Sequence, residues 1–131
     1  MKDITSKQDI DVLVAAFYDK ARKDEMLGHI FNNIIGDDWS DHLIRITAFW
    51  DMVIFAAPGY AGSPVKAHVD ADKKEAINKE NFDRWLELWA ATVDELFAGA
   101  FAEIAKNKAM LMANMIHIKI EMSRNGFNTL N

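Results

Sequence analysis

Apolar positions recur along most of this chain at spacings of three and four, the period of an α-helix with one face on a core. From about Lys7 to Arg22 the stripe is Ile10, Leu13, Val14, Phe17 and Ala21. Ser6, with Asp9 three residues on, suits the start of that helix, because a hydroxyl there accepts a backbone N–H that the first turn leaves free. "DEMLGHIFNNIIG" predicts a short, turn-rich helix closed by Gly36. A second long helix is predicted from about Asp37 to Ala56, with Trp39, Leu43, Ile46, Phe49, Trp50, Val53 and Ile54 on a broad aromatic face. Pro58 stops it, since proline lacks an N–H and disfavours helical backbone in the residue before it. A third runs from about Lys73 to Ala98, carrying Phe82, Trp85, Leu86, Trp89, Val93, Leu96 and Phe97, with Gly99 marking its end. The last, rich in Ala and Met and free of proline, ends near Gly126. Strand patterns are nearly absent. The expected fold is therefore all-α, a small bundle of four main helices with one long irregular connection.

That connection holds the least ordinary stretch, "GYAGSPVKAH", Gly59 to His68, in which two glycines and Pro64 precede a single histidine. Proline and glycine fix its backbone path, whereas the other histidines sit within or beside helical text. Two readings stand. His68 begins a one-turn helix in a surface loop, or the segment is a rigid mount that presents one imidazole.

Composition narrows the chemistry. With 131 residues, half of them apolar, and no internal repeat, residues 1–131 read as one domain able to bury a core without staples. The absence of cysteine removes disulfides, thiolate zinc sites, iron–sulfur clusters and cysteine nucleophiles. The polar beginning "MKDITSKQDID" and the lack of any apolar run near the roughly 20 residues of a membrane span lead to the expectation of a soluble, cytoplasmic protein. Net charge is −5 with Lys and Arg scattered among the acids, so neither nucleic acid nor a membrane is an expected partner.

Metal or acid–base work then falls to four histidines. His29 and His117 read as ordinary packing residues. His42 lies one turn before Ile46 on an inward row, either at the core edge with a backbone carbonyl as partner or projecting into a cavity. No His–x₃–His pair, zinc spacing, Gly-rich phosphate cradle or Gly-x-Ser-x-Gly turn occurs, and Asp37, Asp38, Asp94 and Glu95 read as solvated surface. Tyr18 follows Val14 by one turn, about 100° around the helix from Phe17, so its ring is expected to be partly buried with a hydroxyl needing a partner. Trp85 brings an indole N–H under the same constraint. With His42 these are polar tips among aromatic surfaces, the layout of a small-molecule or cofactor site or else of an ordinary aromatic core.

The stretches "FYDKARKDEMLGHIFN", "WSDHLIRITAFWDMV", "YAGSPVKAH" and "NFDRWLELWAATVDELF", in that order and spacing, resemble the group III truncated haemoglobins from about Ile10 to Ile120. The resemblance implies a two-over-two helical sandwich around haem b, iron protoporphyrin IX. It makes His68, which follows the Tyr-x-Gly-x-Pro segment, the proximal iron ligand, and so reads the connection as a shortened helix that serves as a mount. It makes Tyr18 the distal hydrogen-bond donor, Trp85 a second donor and His42 the distal histidine. Ile46, Phe49, Trp50, Tyr60 and Phe82 would line the haem, with Arg45 reaching toward a propionate. Asn81, where many relatives have His, and Val65, where many have Met or Leu, depart from the family pattern. The implied function is binding or transport of dioxygen, with nitric oxide and carbon monoxide as related ligands, and nitric oxide dioxygenase or peroxidase-like chemistry fed by an unidentified reductase. A haem-based gas sensor acting through a partner protein and a haem-free helical interaction module are the rival classes.

Overall fold

The computed structural model describes residues 1–127, which form six helices and, among the described residues, no strand. Helix α1 (Lys7–Lys23) starts where the Ser6 hydroxyl accepts the Asp9 N–H at 3.3 Å. Its last turn carries Lys20, Arg22 and Lys23, cations that suit the negative end of the helix dipole. Helix α2 (Gly28–Ile35) is short, and α3 (Trp39–Phe55) ends on Ala56 in the left-handed region at φ 56°. Then come α4 (Pro64–Lys74), α5 (Lys79–Leu96) and α6 (Ala100–Arg124). Pairwise packing of α1 with α3 and of α5 with α6, with α1 also on α5 and α3 on α6, gives the two-over-two arrangement, while α4 leans on α6.

The structure corrects the expected middle of the chain. The connection is not irregular throughout: eleven residues of it form α4, and His68 sits in the second turn of that helix rather than at the end of a loop. Lys73 and Lys74 close α4 instead of opening the next helix, which begins only at Lys79, where the Asn81 side chain accepts the Asn78 N–H at 2.8 Å. The reason is local. Only Val69 of α4 is fully buried, with Val65 and Ala71 half-buried beside it, so the stripe that announces the helix is thin. Its start is written in capping chemistry: Ser63 accepts the Lys66 N–H at 3.1 Å, and Pro64 occupies the first turn, where a missing N–H costs nothing.

Two apolar clusters fill the interior. The larger joins Ile4, the α1 stripe, Phe49, Trp50 and Ile54 to Trp89, Val93 and the Ala102, Ala105 and Ala109 face of α6. Trp89 is its centre, stacked on Trp50 at 4.5 Å and Trp85 at 5.9 Å, with its indole N–H donating to the Ala105 carbonyl at 3.1 Å. The smaller gathers Ile30, Val69, Ile77, Phe82, Ala113, Ile116 and Ile120. The N-terminal segment before α1 is part of the fold. Ile4 is fully buried, and the Asp3 carboxylate accepts the Phe101 and Ala102 N–H groups at 2.9 Å each, capping α6 from a distance in sequence. Gly99 permits this approach: its φ is 145°, and a Cβ there would lie 2.5 Å from Asp3 Cγ. No helix among the described residues is long and apolar enough to cross a membrane. Asp37, Asp38, Asp94 and Glu95 are exposed, as their positions suggested.

Candidate functional site

Between the two clusters lies a cavity of about 440 Å³, within the roughly 300–1,000 Å³ typical of small-molecule and cofactor sites. Every residue that the family resemblance assigns to the site lines it: Tyr18 from α1; His42, Arg45, Ile46, Phe49 and Trp50 from α3; Tyr60 from the connection; His68 from α4; Phe82 and Trp85 from α5. His29 and His117 do not. His29 is exposed, 3.4 Å from Glu75, and His117 packs on Phe82 with its buried Nδ1 lacking a partner.

His68 is held by its own helix. Its Nδ1 lies 2.7 Å from the Pro64 carbonyl oxygen, one turn back. A carbonyl can only accept, so Nδ1 carries the hydrogen and Nε2 keeps a bare lone pair. Burial lowers the pKa of this imidazole, and the Pro64 hydrogen bond opposes that shift without reversing it. His68 is thus a neutral base at pH 7, with its one uncommitted nitrogen in a wall of the cavity.

A second polar pair comes from α1 and α3. His42 Nε2 stands 3.2 Å from the Tyr18 hydroxyl, so the partner of His42 is a phenol rather than the carbonyl that one sequence reading allowed. Tyr18 is more deeply buried than expected, at 7% exposure, hemmed edge-on by Phe17 at 5.0 Å, Phe31 at 5.4 Å and Trp39 at 5.6 Å. Burial pushes its phenol well above the ordinary value. Desolvation, with smaller contributions from Arg45 and His68, lowers His42 to about 4. Both groups are therefore neutral at pH 7 and share one hydrogen between Oη and Nε2. Trp85 packs edge-on against Phe17 at 5.8 Å and half-exposed toward the cavity. At the rim, Arg45 is exposed and only loosely paired with Asp38 at 3.8 Å, while Tyr60 rests on the Phe49 ring at 5.2 Å. The cavity lining thus includes one cation, Arg45, with the Asp38 carboxylate beside it.

These residues can be tested against a haem. No group of three or more His, Cys, Asp or Glu among the described residues could hold a metal ion by itself. A cofactor that brings most of its own metal ligands would ask the protein for a single nitrogen. A porphyrin does so, and His68 Nε2 would be the nitrogen to meet it. The broad aromatic and aliphatic walls suit the faces of a flat ring, and Arg45 suits its carboxylate edge. The residues present fit the group.

Sequence reading missed much of the wall. Leu27, Ile30, Phe31, Ile34 and Ile35 reach the cavity from α2 and its approach, Ile77 from the connection before α5, and Met112, Ala113 and Ile116 from α6. The signal for α2 was present in "IFNNII", whose apolar residues flank two asparagines on a single helical face.

No protein-family model matches the chain. It is 30% identical over 112 residues to the group 3 truncated hemoglobin ctb of Campylobacter jejuni, an alignment covering 83% of this chain and 86% of that one. The crystal structure of group III truncated hemoglobin from Campylobacter jejuni matches with a TM-score of 0.83 at 29% identity, over 92% of this chain and 95% of the other.

Proposed function

The chain belongs to the group III truncated haemoglobins, which implies a haem-binding globin, and on that premise we propose that it takes up haem b on His68 and binds dioxygen and related diatomic gases beneath Tyr18, His42 and Trp85. The observation carrying this reading is the His68 tie to Pro64, which leaves one neutral imidazole nitrogen free at the cavity wall. When bound, haem would supply an iron able to take up a diatomic ligand, with His68 holding the group.

The protein does the rest. His68 gives its Nε2 lone pair, oriented by the Nδ1–H bond to Pro64. His42, as its Nε2–H tautomer, donates to Tyr18 Oη, which frees the phenolic hydrogen to point at the ligand. Trp85 brings a second donor, and two donors in a dry site stabilise negative charge developing on a bound gas. Ile46, Phe49, Trp50 and Phe82 exclude water from the ring faces, and Arg45 with Tyr60 holds the carboxylate edge. Such polar donors also suit polarisation of an O–O bond, so nitric oxide dioxygenase or peroxidase-like turnover, with electrons from a separate reductase, is the catalytic extension of the same site.

The test is an absorption spectrum of the ferrous protein after haem-replete expression, with and without carbon monoxide, beside His68→Ala. A Soret band that moves with carbon monoxide and is lost in the variant is expected; a protein that takes up no pigment would leave a helical module without haem. In Tyr18→Phe, loss of one donor hydrogen bond of about 1–3 kcal/mol should speed dioxygen release by several-fold to about a hundredfold. An unchanged release rate removes Tyr18 from ligand stabilisation.

A further inference from the structure

We propose that the Asp72–Arg124 ion pair positions His68, setting where its Nε2 stands in the cavity by fixing the seat of α4; this rests on the haem reading above. Helix α4 needs such a device. It buries only Val69 and packs chiefly on α6, so little apolar contact prevents it from sliding or turning on its support. His68 and Asp72 are four residues apart, hence on one face of α4 and one turn from each other. Whatever holds Asp72 holds the imidazole beside it.

Asp72 is held by three hydrogen bonds from two residues. Its two carboxylate oxygens accept Nη2 and Nε of Arg124, the latter at 3.0 Å, as a fork from the last turn of α6. Oδ1 also accepts the Ile77 N–H at 2.9 Å, tying the α4 to α5 connection to the same carboxylate. Arg124 Nη2 goes on to the Ile77 carbonyl and the Asn78 side chain, both at 3.1 Å. The Asp72 side chain is only 9% exposed while Arg124 is 33% exposed, so the carboxylate is sheltered and the guanidinium reaches it from the solvent side. It secures the cavity wall as well: Ile77 lines the cavity, and Phe82, one turn into α5, lies 6.4 Å from the His68 ring.

The fold contains a matched control. Arg84 gives two N–H groups to Asp24 Oδ1, at 3.0 and 2.8 Å, and the Asp24 side chain is likewise 9% exposed. That pair joins α5 to the turn before α2, where Asp24 also accepts the Met26 and Leu27 N–H groups at 3.1 Å each. Its chemistry is similar, and it touches no residue of α4.

The experiment compares Arg124→Met with Arg84→Met. In haem-free protein, the imidazole nitrogen signals of His68 and the amide exchange of α4 are followed by NMR. In haem-loaded ferrous protein, the iron–histidine stretching band and the rate of haem loss to an acceptor apoglobin are measured. Arg124→Met should move the His68 signals, speed α4 exchange, shift the stretching band and raise haem loss by roughly tenfold, the scale of one charge-assisted bond. Arg84→Met should leave the His68 signals and the band where they are. The proposal is overturned if Arg124→Met leaves them unmoved, or if both variants move them alike, as a general loss of stability would. Asp72→Asn, which keeps an oxygen for the Ile77 N–H, replaces Arg124→Met if the latter fails to fold. A parent protein that binds no haem defeats the reading of function, while the His68 signals of the haem-free protein still decide whether the clamp places the imidazole.

Discussion

Helices α1 and α4 each bring one polar side chain to the same cavity, Tyr18 from the first and His68 from the second, yet α1 buries six residues and α4 buries one. Tyr18 is placed by packing. Its neighbours Phe17, Val14 and Ala21 are locked in the larger cluster, so many contacts agree on its position. His68 is placed by a few directional bonds: the Ser63 cap, the Pro64 carbonyl and the Asp72 clamp. Redundant packing tolerates the loss of any single polar contact, whereas a helix seated by caps and hydrogen bonds concentrates its geometry in them. Damage to α1 should therefore appear as lost stability, and damage to α4 as a displaced ligand in a protein that remains folded.

The largest effect expected on the α1 side is Phe17→Ala. Phe17 is 1% exposed and meets Tyr18, Trp85 and Trp89 edge-on, so truncation should lower unfolding free energy by about 3–5 kcal/mol in urea denaturation. A loss under about 1 kcal/mol would mean that the contrast between the two helices is misjudged.

Acid should sharpen the contrast next. The folded state holds His42 down from 6.5 to about 4, so between those values the unfolded chain binds a proton that the folded one refuses. Stability should be fully present above about pH 6.5 and decline as pH falls toward 4. His68, lowered in the same direction, adds to the decline. Asp9, held down to about 2 by Lys2 and the Thr5 N–H, adds its share only below the ordinary carboxylate value of 3.8. In His42→Gln, the urea midpoint measured from pH 7 to 4 should fall less steeply than in the parent. An identical slope would show that His42 is not a buried neutral group.

The smallest effect belongs to α4 itself. Ser63→Ala removes a cap worth about 1 kcal/mol, and because α4 contributes so little buried surface, the change should be local. Amide exchange in α4 should quicken while the global urea midpoint stays nearly fixed. A matching drop in the midpoint would make α4 part of the main cooperative unit and erase the distinction from α1.

The same distinction explains what could be read from the sequence. The α1, α3, α5 and α6 segments carry apolar stripes, so their existence and most of their boundaries were legible in Ile10, Leu13 and Phe17, or in Phe82, Trp89 and Val93. Helix α4 carries only a thin stripe, Val65 and Val69 with Ala71, and its capping signals, Ser63 and Pro64, lay inside a stretch that glycines made look irregular. The pull of Tyr18, His42 and Trp85 toward a cavity could be argued from helical spacing, and the haem-lining roles of Ile46, Phe49, Trp50, Tyr60 and Phe82 followed from resemblance to a family, while the α2 and α6 walls were not anticipated. The bond from Tyr18 to His42 crosses 24 residues of chain between two helices, and the Asp72–Arg124 fork crosses 52. Pairings of that kind depend on how helices are stacked, which periodicity in one segment does not encode. Nor does it encode which nitrogen of His68 is committed, since that depends on Pro64 standing one turn behind it in a helix the pattern did not announce.

The most direct test of the central claim is a crystal structure of the haem-loaded protein. Continuous electron density from the iron to His68 Nε2, with Nδ1 still on the Pro64 carbonyl, is the predicted result. An iron held instead by His42, or a cavity that accepts no porphyrin under haem-replete conditions, would contradict it.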